Sequence, residues 1–321
     1  MLIDNWGRKI DYLRVSITDK CNLRCRYCMP EEGIPHLSHE KVLRVEEMTR
    51  IVGIVAKEGV DHIRITGGEP LVHKGIFSFI ASLRDIGLTD LSLTTNGILL
   101  EQMAAKLKQA GIDRVNISLD TMDAERFSWI TRGGDVQAVL RGVEAAMAAG
   151  LEPVKLNMVV VKSLNDNEVV GLSEMAKDKP LHIRFIELMP VGTDGIWSKE
   201  NFVATADTMA KIEQAGYKLV PSKVRGNGPA EVYKVEGWQG TLGFIHAISG
   251  HFCAKCNRLR LTADGKIYPC LHSNTCVDIM TPLKEGATDA ELLDIIKEAV
   301  NLKPERSSLG AQNHCMNSIG G

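Results

Sequence analysis

The spacing Cys21-x3-Cys25-x2-Cys28, inside the run Cys-Asn-Leu-Arg-Cys-Arg-Tyr27-Cys, constrains this chain more than any other feature. It offers an odd number of thiolates. A structural zinc site closes its tetrahedron with four ligands, and a cubic iron–sulfur cluster normally takes four cysteines. Three protein ligands leave one metal corner open to a small molecule, which is a catalytic arrangement rather than a structural one. The residues alone also allow a zinc knuckle completed from elsewhere, disulfides, or three ordinary buried thiols. The C-x3-C-x2-C spacing is uncommon among zinc motifs and favours the cluster.

The cysteines fall in groups: Cys21, Cys25 and Cys28, then Cys253, Cys256, Cys270 and Cys276, with Cys315 apart. Met1–Trp6 lacks the charged-then-apolar pattern of a signal peptide, so a cytoplasmic location is expected. In a reducing compartment such groups read as metal ligands rather than disulfides. A formal net charge of −2 argues against nucleic acid as a partner. No apolar run approaches a membrane span. With 44% hydrophobic and 24% charged residues over 321 positions, a sizeable core is expected.

From Tyr12 to about Glu187, short β-branched runs alternate with amphipathic stretches. Strands are expected at Tyr12–Ile17, His62–Thr66, Leu91–Thr95, Arg114–Ser118, Val154–Val161 and His182–Glu187. Helical patterns lie near Arg44–Lys57, Gly75–Arg84, Glu101–Gln109 and Glu168–Lys177. The clearest is the stripe Val136, Val139, Leu140, Val143, Met147. This alternation implies parallel strands with right-handed crossovers. The expected class is α/β, an incomplete (β/α)6 TIM-like barrel over residues 1–200, with chemistry at the carboxyl ends of strands. After Met189-Pro190 the rhythm breaks. Residues 201–321 are expected to form a C-terminal α+β extension with a helix at Ala206–Gln214, strands at Glu231–Val235 and Thr241–His246, and a last helix near Asp289–Val300.

Gly67-Gly68-Glu69-Pro70 follows directly on the second strand, where glycines let a backbone come close to a ligand and Glu69 can accept from an ammonium. Thr95, Ser118, Asp120, Lys155, Asn157, Arg184 and Met189 sit on or just past later strands and together mark one polar rim. The second cysteine group reads Cys253-x2-Cys256-x13-Cys270. By spacing alone this is close to a zinc ribbon short of one ligand, with Cys276 or His272 as candidate fourth. The discordant feature is Arg258-x-Arg260. On a strand both point to one face, and paired guanidiniums beside a metal site suit a polyphosphate.

The first trio, with Tyr27 before its last cysteine and Gly-Gly-Glu-Pro downstream, resembles the radical S-adenosylmethionine superfamily. That likeness implies a [4Fe–4S] cluster on Cys21, Cys25 and Cys28, whose open iron takes the methionyl group of S-adenosylmethionine. The chain as a whole is similar to the GTP 3′,8-cyclase family of molybdenum-cofactor biosynthesis. The specific elements are Leu-Arg14-Val-Ser-Ile-Thr-Asp-Lys-Cys21, Cys253-x2-Cys256-Asn-Arg258-x-Arg260-Leu-Thr, and the terminal Ile319-Gly320-Gly321. The resemblance implies a second [4Fe–4S] cluster on Cys253, Cys256 and Cys270, with its open iron facing guanine. It further implies S-adenosylmethionine contacts at Tyr27, Gly68, Ser118 and Met189, and GTP contacts at Arg14, Arg64, Thr95, Lys155, Arg184, Arg258 and Arg260. Catalytic roles fall to Arg258, Arg260, Gly320 and Gly321, the tail reaching the active site.

The expected activity is therefore cyclisation of GTP by a radical lyase, with an electron-donor protein as partner and a homodimer allowed. Two rivals stand beside it: a peptide-modifying radical enzyme with an auxiliary cluster, and a zinc-binding interaction protein without catalysis. Cys276 and Cys315 have no role under the resemblance.

Overall fold

The computed structural model describes residues 1–190, 198–224, 226, 228–250, 252–307 and 319. Its elements run β1 (Tyr12–Ser16), α1 (Val45–Lys57), β2 (His62–Thr66), α2 (Ile76–Asp85), β3 (Asp90–Thr95), α3 (Leu100–Ala110), β4 (Arg114–Ser118), α4 (Ala124–Thr131), α5 (Val136–Ala148), β5 (Lys155–Val160), α6 (Val169–Glu174) and β6 (His182–Glu187). The chain continues through α7 (Thr205–Gln214), β7 (Leu219–Ser222), β8 (Glu231–Val235), β9 (Thr241–Ile245), β10 (Arg258–Leu261), β11 (Lys266–Tyr268), β12 (Val277–Asp278), α8 (Met280–Lys284) and α9 (Asp289–Asn301).

All twelve strands join one open sheet in the order β12-β11-β10-β1-β2-β3-β4-β5-β6-β9-β8-β7. The expected run β1 to β6 is parallel and consecutive. The strands beyond residue 200 build no sheet of their own. β9 adds parallel to β6, and β10 adds parallel to β1. The parallel run is therefore eight strands wide, and the late strands extend it at both ends.

Strand composition decides which face is which. Parallel strands covered on both faces normally read as continuous apolar runs. Here they alternate strictly: Leu-Arg-Val-Ser on β1, Ile-Arg-Ile-Thr on β2, Leu-Ser-Leu-Thr on β3, Val-Asn-Ile-Ser on β4. Side chains alternate faces along a strand, so Leu13, Val15, Ile63, Ile65, Leu91, Leu93, Val115 and Ile117 all enter the core, each 3% exposed or less. Opposite them lies a face of Arg14, Arg64, Ser92 and Asn116. Each buried Leu, Ile or Val contributes about 1.5–3 kcal/mol, which anchors a sheet whose other face carries charge.

The helices that cover the apolar face have explicit ends. Asp123 and Asp135 cap α4 and α5 by accepting from Arg126 N and Gln137 N. Gly111, at φ +116°, closes α3 in the left-handed region. Thr288 and Glu291 form a reciprocal capping box on α9. Among the described residues no helix is long and apolar enough to cross a membrane.

Candidate active site

The polar face of the sheet opens into one cavity, and both cysteine trios line it. The first trio sits on the loop after β1. That loop is held by the turn following β2, which lies against it like an added strand: Gly68 N donates to Thr18 O at 2.8 Å and Glu69 N to Lys20 O at 2.8 Å. The approach is so close that a Cβ on Gly68 would stand 2.3 Å from Lys20 O. The glycine is required by the protein's own backbone before any ligand is considered.

Glu69 does not face the cavity. Its carboxylate accepts from Leu71 N (3.0 Å), Thr95 Oγ1 (2.8 Å) and Asn96 N (2.7 Å), tying the ends of β2 and β3 together. Burial raises its pKa to about 7 against the opposing pull of these three donors. Two of these donors lie on Oε1 and one on Oε2, and all three come from the fold itself. Thr95 likewise gives its hydroxyl to Glu69 and accepts from Gly97 N at 3.0 Å. The neighbouring Thr94 Oγ1 is buried on the cavity with no hydrogen-bond partner among the described residues.

Tyr27 crosses to the end of β4, donating to Asp120 Oδ2 at 2.8 Å. Asp120 also accepts from Val159 N at 2.9 Å, and burial raises its carboxyl to about 6. Around the trio, Leu23 N points at Cys21 Sγ at 3.4 Å. Burial pushes the Cys21 and Cys25 thiols up.

The second trio faces the first across the cavity. Cys253 and Cys256 precede β10, and Cys270 follows β11. Burial opposes ionisation of Cys256, but Arg258 and Lys303 overcome it and bring the thiol down to about 6. Cys276 is absent from the described cavity wall and faces Tyr268 instead. His272 does line the cavity, and it is buried.

Between the trios stands a band of cations. Register puts Arg14 beside both Arg64 and Arg260, and Arg184 enters from β6. Arg258 stacks on Phe252 at 4.8 Å. Arg260 Nη1 donates to Ile319 O at 3.1 Å, so Ile319 reaches this band. Burial, then mutual repulsion, pulls these groups down: Arg14 well below its usual value, Arg184 to about 9, Arg260 to about 10. Lys155 falls to about 6 for the same reasons, with Arg184, Arg64 and Arg114 as the repelling charges. A concentrated positive field inside a low-dielectric wall is a site for a multiply charged anion.

Every expected site residue on the described chain reaches this wall except Glu69 and Lys155. Lys155 is buried, and a Cβ on Gly226 would lie 2.8 Å from its Nζ. Gly320 and Gly321 lie outside the described residues. Lys303 and Phe252 line the wall and carried no signal in the sequence: each is a single residue outside any motif. The donor chemistry fits two clusters. The six cysteines of the two trios all line this one cavity. Among the described residues no three His, Cys, Asp or Glu side chains gather closely enough for a single metal ion. Three thiolates in each trio match the protein share of a [4Fe–4S] cluster that leaves one iron for a small molecule.

Comparison with known proteins agrees. Residues 15–176 match the Radical SAM superfamily, and residues 181–309 match Molybdenum Cofactor Synthesis C. A GTP 3′,8-cyclase of Heliobacterium modesticaldum is 49% identical, covering 100% of both chains. One of Pelotomaculum thermopropionicum is 48% identical over 94% of each. Among solved structures, Streptococcus suis SuiB bound to S-adenosylmethionine shares the fold at a TM-score of 0.57 and 15% identity, over 85% of this chain and 64% of that one.

Proposed function

The chain belongs to the GTP 3′,8-cyclase family of the radical SAM superfamily, and from that premise we propose that it joins C3′ of GTP to C8 of its guanine, an early step of molybdenum-cofactor biosynthesis. The observation that carries this reading is the cation band of Arg14, Arg64, Arg184, Arg258 and Arg260 lining the same cavity as the two cysteine trios. Cys21, Cys25 and Cys28 would hold the cluster that binds S-adenosylmethionine, and Cys253, Cys256 and Cys270 the cluster that meets guanine. When bound, the first cluster and S-adenosylmethionine supply a 5′-deoxyadenosyl radical able to take the ribose hydrogen, chemistry no side chain here offers.

The protein's part is positioning. Arginines fork onto phosphate oxygens in fixed planes, and five of them from four strands fix the triphosphate against rotation. Tyr27, held by Asp120, Gly68, Ser118 and Met189 line the side given to S-adenosylmethionine. Holding two reactants at near-contact distance replaces acid–base assistance with pre-paid orientation. Lys155 acts on the phosphates through its charge. Gly320 and Gly321 are assigned a role at the substrate in this reading, since glycines can thread a crowded cavity.

In this reading the parallel strands curve as an incomplete (β/α)6 barrel. Residues 1–200 serve the adenosyl cofactor, while 201–321 serve the substrate and second cluster. That division is one of function, because both parts share a sheet. A cytoplasmic location, an electron-donor protein and a homodimer complete the proposal. Anaerobic incubation with GTP, S-adenosylmethionine and reductant should give 5′-deoxyadenosine together with a cyclised nucleotide. Deoxyadenosine released equally without GTP refutes the substrate assignment.

A further inference from the structure

We propose that Lys303 is a positioning residue for the second cysteine trio, tying its turns together and supplying the fixed charge that sets the potential of the group they hold. The inference rests on the two-cluster reading above. Lys303 follows α9 and is 3% exposed. Its Nζ donates to Arg258 O at 2.6 Å and to Pro269 O at 2.7 Å. Arg258 stands two residues past Cys256, and Pro269 immediately precedes Cys270. One ammonium therefore bridges the two segments that carry Cys256 and Cys270.

The third cysteine is held by a neighbouring cation. Arg8 Nη1 donates to Cys253 O at 2.7 Å, and Arg8 Nη2 donates to Pro304 O, next to Lys303, at 2.7 Å. The two cations differ in one respect. Arg8 is neutralised by Asp4, at 2.6 Å. No carboxylate among the described residues lies within ion-pair reach of Lys303. The acidic groups acting on it most strongly are the thiols of Cys256 and Cys270.

A buried ammonium without a carboxylate is costly unless another anion balances it. Two metal-bound thiolates provide that balance. A tether alone needs only a donor, whereas a lysine at this point also places an ammonium beside Cys256 and Cys270, whose charge opposes the effect of its burial. Positive charge beside a cluster favours its reduced form, and Lys303 lies on the wall where Cys256 and Cys270 face the cavity.

The test uses the full chain reconstituted anaerobically as wild type, Lys303→Gln, Lys303→Arg and Lys303→Met, read by iron content and potentiometric paramagnetic resonance. Wild type should carry about eight irons, four per cluster. Gln keeps a two-hydrogen donor for both carbonyls and loses the charge. It should retain about eight irons with a second-cluster potential below wild type. Arg keeps the charge and should stay closer to the wild-type potential than Gln does. Met removes tether and charge and should fall toward about four irons, while first-cluster cleavage of S-adenosylmethionine persists. A wild-type potential in Gln, or equal shifts in Gln and Arg, overturns the inference, and both results stand even if Met fails to fold. Wild type holding only about four irons instead refutes the two-cluster reading itself, and this inference with it.

Discussion

Gly68→Ala separates two reasons for a glycine beside a cofactor. A Cβ there would meet Lys20 O at 2.3 Å, Lys20 C at 2.7 Å and Asp19 O at 2.9 Å, all backbone atoms with nowhere easy to go. Relieving the clash must lengthen the Gly68–Thr18 and Glu69–Lys20 bonds, both 2.8 Å. Each buried backbone bond is worth about 0.5–1.5 kcal/mol net, and overpacking adds about 1–3 kcal/mol. The expected loss is about 2–6 kcal/mol. Unfolding entropy of about 2.1 cal/mol/K per residue over 321 residues converts that to a Tm lower by about 3–9 °C. The assay is thermal unfolding of the reconstituted protein with and without saturating S-adenosylmethionine. The drop should be present in full without the ligand, and iron on the first trio should fall with it. An unchanged Tm, with only S-adenosylmethionine affinity reduced, would show that the glycine serves the ligand and that the backbone argument is wrong.

Other consequences of the same geometry are open to measurement. Lys155, depressed from 10.5 to about 6, holds fewer protons folded than unfolded between those values, so its burial penalty is full below the folded pKa and fades as pH rises. Lys155→Met should therefore stabilise the ligand-free protein more at about pH 6.5 than at about pH 9, and urea midpoints that move equally at both pH values would contradict this. GTP should reprotonate Lys155, so calorimetry at about pH 8 in buffers of different ionisation enthalpy should report net proton uptake that the Met variant lacks. At Gly243 a Cβ would press on His182 Cε1 at 2.8 Å and Arg184 Cγ at 2.9 Å. Gly243→Ala should displace Arg184 and raise KM for GTP by about tenfold, the loss of roughly one hydrogen bond to a charge, with kcat little changed. Glu69→Ala strands three donors and should cost about 3 kcal/mol or more together with first-trio iron; full iron retention would count against a structural Glu69.

The early strands were legible because each is a short β-branched run bounded by turns, and His62–Thr66, Arg114–Ser118 and His182–Glu187 appear with the expected ends. The pairing of the short elements was not legible. Four-residue β10, three-residue β11 and two-residue β12 exist by virtue of their neighbours, and no local pattern announces that β10 will lie against β1. Yet that pairing sets Arg14 beside Arg260. The arginine pair at 258 and 260 was readable as one face of a strand; its partners were not. The strongest unread signal was the polar alternation of β1 to β4. In a parallel sheet it says that one face meets a cavity rather than a helix layer. Glu69 was readable either as a ligand contact or as a clasp between loops, and the positions of Thr95 and Asn96 show the clasp.

The cation band also explains why this fold needs such a complete apolar face. Arg14, Arg184, Arg260 and Lys155 all have depressed pKa values, each first through burial and then through other cations. Without an anion, these residues work against folding, and single proteins retain only about 5–15 kcal/mol in total. The deficit is offset by core residues such as Ile63, Ile65, Leu91 and Leu93, all at 0% exposure on the opposite side of the same strands. Alternation thus couples the two terms: on β1, β2, β6 and β10 the apolar residues stabilise the sheet, and the arginines between them hold a field that a polyphosphate relieves. A substrate bound in this way also stabilises the protein it binds. The same substitution can then raise the stability of the empty protein and lower its affinity for GTP, which is the pair of opposite effects expected wherever a site is preorganised at the expense of the fold.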